Sequence, residues 1–393
     1  MKKYLYFDHL ATTPLDPVVK EAMVPFLDYK FANAGGMHSK ALLAADAIVE
    51  SREKVRQGIA AAKVEEILFC GSGSEAANLA IKGLAFSELF KRDKRKHLVI
   101  SNIEHPAVLQ STLFLEQLGF EVTQVLVDSH GGIDLDSFSQ ALKEDTLLVS
   151  IHQGNFDLGT LQDISKMGTL AHECGAKVFC DAAFSFGWQQ IDVTKLGVDL
   201  LSLSPHRFYG PKGVGILYVK EGLELQSLIH GGRQEFSKRA GTENVAAIVG
   251  AGYAVEQAIK KFSSISELRD KQTQLFELLK NRIEGVGLLG PLPGMNRLPH
   301  HLNLTFEGIE GEALMLLLDT RKVAVTSGTG CQTGSMKGSH VAQAIGITDE
   351  LAKSSILIGL GIDVTSEDIE EFLERLEACV SKLRSMSPSW KSS

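Results

Sequence analysis

The chain has 393 residues, of which 44% are hydrophobic and 22% are charged, a balance typical of a folded enzyme rather than a disordered or fibrous protein. Its formal net charge of -8 at pH 7 gives no general attraction to nucleic acid or to an anionic membrane, which favours a small molecule or another protein as partner. The length favours two domains, and the five scattered cysteines contain no Cys-x-x-Cys pair, so neither a disulfide framework nor a metal site is predicted.

In the first two thirds of the chain, short apolar runs alternate with longer amphipathic stretches. Each run is followed by a polar or glycine-rich turn and then by a helical pattern, which is typical of a largely parallel sheet wrapped by helices. The strands predicted in this way are residues 66–69, 97–100, 147–151 and 177–180.

The pattern changes in the last third of the chain. One amphipathic helix is predicted over residues 267–285 and is broken by the Gly-Pro-Leu-Pro-Gly segment at 290–294. The later elements predicted are a strand at 302–306, an acidic helix start at 310–312 and a last helix from 365 to about 386, where the segment beginning at Ser366 offers the N-terminal cap. We therefore expect a large domain over residues 15–255 and a small domain built from residues 1–14 and 256–393.

The composition favours a cytoplasmic protein without membrane contact. No apolar run reaches the roughly 18 residues that indicate a membrane span. The N terminus turns acidic at Asp8 before an apolar segment develops, unlike a signal peptide. The unpaired cysteines fit a reducing compartment.

Two segments place polar groups where a predicted strand ends. Residues 70–75, Cys-Gly-Ser-Gly-Ser-Glu, lead into a predicted helix at Ala76, and backbone N–H groups at a helix N terminus suit a phosphate. The same turn alone can equally serve only as a cap. Asp181 follows the strand at 177–180 and either faces a ring nitrogen of a ligand or caps a loop.

Eight segments with polar or glycine-rich motifs follow one another along the chain. They are Tyr6-Phe-Asp-His-Leu-Ala-Thr-Thr-Pro14, Gly71-Ser-Gly-Ser-Glu75, Glu104-His105, Asn155-Phe-Asp-Leu-Gly-Thr-Leu-Gln162, Asp181-Ala-Ala, Ser204-Pro-His-Arg207, Arg239-Ala-Gly-Thr-Glu-Asn244 and Thr326-Ser-Gly-Thr-Gly-Cys331. In this order they resemble the cysteine desulfurases, a branch of the class-V aminotransferases, and the resemblance covers essentially the whole chain.

The resemblance implies an α/β fold of the fold-type I pyridoxal-phosphate-dependent transferases, with a mostly parallel sheet in the large domain and a smaller α+β domain. It implies a homodimer that takes sulfur from L-cysteine or a related amino acid. The sulfur would be carried as a persulfide on Cys331 and passed to an acceptor or scaffold protein, for iron-sulfur cluster assembly or another sulfur-transfer pathway. The polar, glycine-rich segment around Cys331 suits such a mobile nucleophile.

The resemblance also implies roles for individual residues. The phosphate contacts would be Ser74, Ser204 and His206, with Thr242 reaching across from the other subunit. His105 would stack on the pyridine ring and take part in catalysis, and Asp181 would pair with the ring nitrogen. Asn155 would lie near the cofactor oxygen or the substrate, with Arg239 as a further substrate contact.

The chain departs from the family at several positions of this site. Arg207 stands where the family has the lysine that forms a Schiff base with the cofactor, and a guanidinium stays charged and is a poor nucleophile. Leu357 replaces the arginine that holds the substrate carboxylate, and Phe184 replaces a glutamine that contacts the phenolic oxygen. The Asn-Asn-Glu segment reads Asn155-Phe-Asp157, and Lys212 matches a different family lysine.

These departures leave three hypotheses for the function. The first is a desulfurase-like protein with impaired or altered chemistry, in which Arg207 could hold an anion and pyridoxal phosphate binds without a covalent bond. The second is a catalytically inactive homologue that acts as a partner or regulator of sulfur-transfer proteins. The third is an aminotransferase-like or lyase-like activity with non-covalent cofactor, which Leu357 favours.

Overall fold

The computed structural model describes residues 3–328, 339–388 and 390 of the chain. Its strands are β1 Leu5–Tyr6, β2 Ile67–Cys70, β3 His97–Ser101, β4 Glu121–Val125, β5 Thr146–His152, β6 Lys177–Asp181, β7 Leu200–Leu203, β8 Gly215–Val219, β9 Val286–Leu289, β10 His301–Phe306, β11 Val323–Ala324, β12 Thr326–Ser327 and β13 Ser355–Gly359. Its helices are α1 Pro17–Leu27, α2 Ser39–Gly58, α3 Gly73–Phe90, α4 Pro106–Glu116, α5 Leu135–Ala141, α6 Ile164–Glu173, α7 Val193–Leu196, α8 Val245–Lys260, α9 Ile265–Arg282, α10 Gly311–Thr320, α11 His340–Ala344, α12 Asp349–Lys353 and α13 Ser366–Met386. Among the described residues, none of the helices combines the length and the apolar character needed to cross a membrane.

The largest sheet has seven strands in the order β2-β8-β7-β6-β5-β3-β4. The pairs from β7 to β4 are parallel, and β8 runs antiparallel to both of its neighbours. The predicted, largely parallel α/β sheet is therefore confirmed. The four strands predicted from sequence correspond to β2, β3, β5 and β6, with ends that differ by at most one residue.

Helices cover both faces of this sheet, so its central strands are buried on both sides. All seven residues of β5 and all five of β3 are buried. One apolar cluster lies on the face that includes Val99, Val149 and Val178, and another lies on the face of Leu98, Leu148 and Phe179. Burial on both faces explains why the sequences of these strands are continuous apolar runs and do not alternate between apolar and polar residues.

A second, four-stranded antiparallel sheet has the order β12-β13-β10-β9. It shares a separate apolar cluster with α9, α10 and α13, in which the rings of Phe7 and Phe372 stack at 4.4 Å between centroids. The N-terminal strand β1 pairs in parallel with β11, which ties the start of the chain to its last third. The domain boundaries given above stay a prediction.

Two helix starts differ from the sequence-based expectation because the capping side chain lies earlier in the chain. Helix α3 begins at Gly73, since the Ser72 hydroxyl accepts a hydrogen bond from the Glu75 N–H. Helix α13 is capped by Thr365 and not by Ser366. The Thr365 hydroxyl accepts from the Asp368 N–H at 3.1 Å, and the Asp368 carboxylate accepts from the Thr365 N–H, which forms a capping box.

Candidate active site

A cavity of about 190 Å³ opens between the carboxyl ends of the parallel strands and the second sheet. We call it the Arg207 cavity, after the one arginine among its described lining residues. Its wall is formed by Asp8, Leu10, Ala11, His105, Pro106, Phe156, Asp157, Phe184, Arg207, Thr326, Gly328, Ser339, His340 and Leu357. Three positions at which the chain departs from the desulfurase pattern, Phe184, Arg207 and Leu357, thus lie in one wall.

Arg207 follows β7 and presents its guanidinium to this cavity. The Cζ atom lies 4.1 Å from the centre of the Phe184 ring, a cation–π contact. Burial raises the pKa of Asp8, and the positive charge of Arg207 opposes this rise. Burial, together with the charges of Arg207 and Lys212, lowers the pKa of His206 to about 4. Arg207 therefore adds positive charge to this end of the site, although burial is the larger cause of both pKa shifts.

Leu357 lies in the middle of β13, opposite Asn303 of β10 and Thr326 of β12. Its side chain is 6% exposed. Because a leucine can form neither an ion pair nor a hydrogen bond, the second sheet offers no cation to the cavity at this position.

His105 is the N-cap residue of α4, and its Nδ1 accepts a hydrogen bond from the Ala107 N–H at 3.1 Å. The edge of its ring meets Phe156 at 5.5 Å, and Phe184 lies 6.1 Å away. Burial lowers the pKa of His105, so the ring is neutral near pH 7. This position suits a flat ring that packs against a ligand.

Asp181 is the last residue of β6, and one of its carboxylate oxygens accepts from the Ser202 hydroxyl at 2.8 Å and from the Ala183 N–H at 3.0 Å. The bond to Ala183 is the loop cap that the sequence offered as one interpretation. Both of these hydrogen bonds use the same carboxylate oxygen, which leaves the other one for a ring nitrogen of a ligand. The geometry is therefore compatible with a loop cap and with a ligand contact.

The predicted phosphate contacts converge at the start of α3. A Cβ atom added to Gly73 would lie 3.1 Å from the Ser204 Cβ and 3.2 Å from its hydroxyl, so the helix N terminus touches Ser204. Ser74 is in the first turn of α3, and His206 lies two residues beyond Ser204 with its Nδ1 3.2 Å from the Thr12 hydroxyl. Thr242 is exposed. None of these four residues borders the Arg207 cavity.

Two predicted contact residues use their polar groups within the protein. The Asn155 amide donates to the Ile103 carbonyl at 3.0 Å, and its oxygen accepts from the N–H groups of Asp157 and Leu158. Arg239 donates to Glu75 at 2.9 Å, in the first turn of α3. Their roles toward cofactor or substrate stay predictions.

A buried carboxylate in the cavity wall, Asp157, was not among the predicted functional residues. It accepts from the Ser339 hydroxyl at 2.5 Å and from the Asn303 amide at 2.9 Å. Burial raises the pKa of Asp157 to about 6. The only sequence signal was its place in the segment 155–157, because both partners lie more than 140 residues away.

Glu104, the residue before His105, contacts three other residues near the cavity. Its carboxylate accepts from the Ser101 hydroxyl at 2.6 Å and lies 2.8 Å from His152 Nδ1, and its backbone carbonyl lies 2.9 Å from His340 Nε2. These contacts join β3, β5 and α11. Cys331, the predicted sulfur carrier, lies outside the described residues.

The described residues fit pyridoxal phosphate as a ligand. The close approach of Ser204 to the helix start at Gly73 leaves α3 N–H groups and hydroxyls together for a phosphate, and Asp181 retains an acceptor oxygen. The described lining of the Arg207 cavity contains no lysine. Lys212 instead borders a different cavity, beside Thr12, Thr13 and Asp363.

Comparison with known proteins agrees with this architecture. The family model of the class-V aminotransferases matches residues 5–372. The cysteine desulfurase IscS of Dictyoglomus turgidum is 44% identical over 398 aligned residues, which cover 100% of this chain and 99% of that protein. The IscS protein of Methanosarcina thermophila is 41% identical and covers 98% of this chain and 94% of its own length.

Two solved structures are similar along most of the chain. A NifS-like protein superposes with a TM-score of 0.88 at 32% identity, covering 97% of this chain and 100% of that one. A structure of SspA in complex with cysteine superposes with a TM-score of 0.79 at 37% identity, covering 91% and 98%.

The fold and the site together define a class-V aminotransferase, a class of proteins that depend on pyridoxal phosphate. Within that class, the chain belongs to the cysteine desulfurase family.

Proposed function

We propose that this protein is a sulfur-mobilising member of the cysteine desulfurase family in which turnover of L-cysteine is impaired. The reaction would convert L-cysteine and the Cys331 thiol into L-alanine and a Cys331 persulfide, so that sulfur passes from the substrate carbon to Cys331. An acceptor or scaffold protein in the cytoplasm would then take the sulfur. We infer the impairment from the guanidinium of Arg207, which lies in the cavity wall at the position where the family has an amine.

The remaining residues would divide the binding of cofactor between them. Ser74, Ser204 and His206 would hold the phosphate at the start of α3, and Asp181 would keep the ring nitrogen protonated. His105 would pack on the ring in its neutral form. When bound, pyridoxal phosphate would supply an electron sink for the substrate carbon.

The chain's own residues would limit the rate at two points. A guanidinium stays protonated near neutral pH, so Arg207 would neither form the covalent bond to the cofactor nor move a proton at the substrate carbon. Leu357 gives the substrate carboxylate no ion pair, which removes a bidentate contact.

An absorbance spectrum with added pyridoxal phosphate, followed by borohydride reduction and mass analysis, tests the first point. We expect a cofactor band that is lost on dialysis and no increase in protein mass after reduction. A borohydride-stable adduct on the unmodified protein, formed after the free cofactor has been dialysed away, would contradict the proposal, because it would require an amine at the site.

Restoring the family residues tests both points. Arg207→Lys is expected to give a mass increase after reduction but little sulfide from L-cysteine, and Arg207→Lys combined with Leu357→Arg is expected to release more. Lys212→Ala in the Arg207→Lys background is the matched control and should keep the mass increase. Cys331→Ser should remove the persulfide that alkylation and mass analysis detect. Rapid desulfuration by Arg207→Lys alone would refute the role given to Leu357.

A second candidate is an inactive homologue that binds a sulfur-transfer protein, and the absence of a lysine from the described cavity lining favours it. It predicts neither sulfide nor persulfide, together with retained binding to a scaffold protein. A change in the cofactor spectrum on adding an amine that lacks a carboxylate, larger with the protein than with pyridoxal phosphate alone, would instead favour an aminotransferase-like or lyase-like reaction.

A further inference from the structure

A short segment of the chain, residues 235–239, packs beside the start of α3. Its first residue, Glu235, accepts from the Phe69 N–H at 2.8 Å, and Phe69 lies in β2, the strand that leads into α3. Its last residue, Arg239, donates to Glu75 at 2.9 Å, in the first turn of α3. The segment therefore contacts the elements on both sides of the turn between β2 and α3.

The backbone of this segment has an unusual conformation. Glu235, Phe236 and Ser237 have φ angles of 45°, 55° and 63°, and three consecutive left-handed residues with a Cβ atom are unfavourable. The Arg52 guanidinium stabilises them, because it pairs with both Glu235 oxygens at 2.8 Å and its Cζ lies 5.0 Å from the centre of the Phe236 ring. These contacts set the direction in which the chain continues to Arg239.

Glu75 connects Arg239 to the turn between β2 and α3. Its Oε1 accepts from Arg239, and its Oε2 accepts from the Gly71 N–H at 2.8 Å. The side chain bends back over the turn, since a Cβ atom added to Gly71 would lie 2.6 Å from Glu75 Oε2 and 3.7 Å from an Arg239 nitrogen. Both charges therefore lie directly at this turn.

A phosphate at the start of α3 would lie in the field of the Glu75 carboxylate. The N–H groups of Gly73 and Ser74 precede the first intrahelical hydrogen bond, so they have no partner within the helix. Two residues of chain span at most about 7 Å, so the carboxylate on the Gly71 N–H lies within about 10 Å of the Gly73 N–H. At that distance a carboxylate repels a phosphate dianion unless a cation neutralises it.

The thiol of Cys70, at the end of β2, responds to the same charges. Burial raises the pKa of Cys70, the charges of Glu75 and Glu235 raise it further, and the charge of Arg239 opposes them. Arg239 thus offsets the negative potential of both carboxylates at a buried group beside the turn.

We propose that Arg239 and Glu75 are a positioning pair for the phosphate of a ligand at the start of α3. Glu75 holds the Gly71 N–H and with it the turn, and Arg239 holds Glu75 and cancels its charge toward the phosphate. Arg239 therefore acts through Glu75 and not as a direct contact of the substrate. This inference rests on the proposed function in taking the start of α3 as the phosphate site, and it needs neither turnover nor Cys331.

Two ligands that differ only in the phosphate test this role. Pyridoxine 5′-phosphate and pyridoxine share one ring, and both carry an alcohol where pyridoxal phosphate has its aldehyde, so neither bonds covalently to an amine. The full-length protein, dialysed to remove bound cofactor, is titrated with each ligand by calorimetry at low ionic strength, where screening is weak. We expect the unmodified protein to prefer the phosphate ester.

Variants then separate a positioning pair from a direct contact. Arg239→Gln should reduce the preference roughly 3- to 30-fold, the range for one partly exposed charge near a dianion. Glu75→Gln should leave the preference equal or larger, because the amide oxygen still accepts from the Gly71 N–H. Arg239→Gln combined with Glu75→Gln should restore most of the preference, since the uncompensated carboxylate is gone. A direct contact between Arg239 and the ligand would leave the double variant as weak as Arg239→Gln.

Arg95→Gln is the matched control. Arg95 pairs with Asp93 beyond the C-terminal end of α3, with side chains 30% and 20% exposed, against 24% and 23% for Arg239 and Glu75. This variant should keep the preference of the unmodified protein. Loss of the preference in Arg95→Gln or Glu75→Gln, or no loss in Arg239→Gln, overturns the proposal. If Arg239→Gln does not fold, the double variant decides, because a retained preference excludes a direct contact and a lost one overturns the proposal.

A failure of this inference is distinguishable from a failure of the proposed function. Sulfide release from L-cysteine and persulfide formation are measured on the same preparations. No preference for the phosphate ester in the unmodified protein overturns this inference, whatever the sulfide assay gives. Absence of both sulfide and persulfide, with the preference present and sensitive to Arg239→Gln, counts against sulfur mobilisation and supports the positioning pair.

Discussion

At the scale of single residues, the titration of Asp157 has a consequence for stability. Burial raises the pKa of Asp157 to about 6, whereas an unfolded aspartate titrates near 3.9. Between these values the folded protein binds more protons than the unfolded chain, so the free energy of unfolding falls as the pH rises from about 4 to about 6.

We expect Asp157→Asn to lack this part of the pH dependence, because an amide does not titrate. Urea unfolding of both proteins from about pH 4 to pH 6.5 measures it as the difference between the two curves. The other charged or titratable residues of the wall, Asp8, His105, Arg207 and His340, contribute equally to both proteins. Parallel curves would contradict the raised pKa.

A buried ion pair between Arg52 and Glu235 gives a second prediction. Two guanidinium nitrogens lie 2.8 Å from the two Glu235 oxygens, and the side chains are 8% and 3% exposed. Glu235 also accepts from the Phe69 N–H of β2. Glu235→Ala should lower the free energy of unfolding by about 3–5 kcal/mol, because it leaves a buried arginine without its partner.

The matched control is Glu221→Ala, which removes the exposed pair between Lys63 and Glu221. That change should cost about 0–1 kcal/mol, since solvent screens the pair. Denaturant unfolding measures both variants. Equal losses would show that burial does not determine the contribution of the Arg52 pair.

At the scale of elements, the start of α13 distinguishes two adjacent hydroxyl residues. Thr365 forms the capping box with Asp368, whereas Ser366 is the first helical residue. Thr365→Ala should lower the free energy of unfolding by about 1 kcal/mol, and Ser366→Ala should change it by less than about 0.5 kcal/mol. A larger loss for Ser366→Ala would favour the cap expected from the sequence.

The central strands could be predicted from sequence because their burial on both faces produces unbroken apolar runs, as in residues 147–151. Strand β4 was not predicted, since four of its five residues are exposed or half-buried and it lies at the sheet edge. At the site, the order of the motifs predicted that Arg207, Phe184 and Leu357 lie in one pocket, and all three line the Arg207 cavity. Asp157 was not predicted as a site residue because its hydrogen-bond partners, Asn303 and Ser339, lie more than 140 residues away in the sequence. A local sequence pattern cannot predict contacts between residues so far apart.

At the scale of the whole molecule, an apolar surface lies on the N-terminal helices and the segment between them. Its exposed large apolar residues are Val18, Val24, Leu27, Tyr29, Phe31, Met37, Leu42, Leu43 and Val49. Many exposed large apolar residues in one stretch of chain are typical of a protein interface. It supports the homodimer that the family resemblance implies, in which Thr242 would contact the partner's cofactor.

We expect Leu27→Glu combined with Phe31→Glu to shift the protein from dimer to monomer, because charges at both positions would have to be buried. Size-exclusion chromatography with light scattering measures the mass. Affinity for pyridoxal phosphate should fall as well if Thr242 acts across the interface. Leu316→Glu, on the exposed face of α10, is the control and should leave the mass unchanged. A monomeric unmodified protein would refute the homodimer.

The pairing of β1 with β11 also determines when folding can be completed during synthesis of the chain. Leu5 aligns with Val323, so the first strand has no partner until about 320 further residues have been made. At about 5–20 residues per second, that interval lasts roughly 15–60 s on the ribosome. During this time Leu5 and Phe7, both buried in the finished protein, are apolar groups without their final contacts. The large sheet can form in that interval, while the apolar cluster around Phe7 and Phe372 has to wait for the end of the chain.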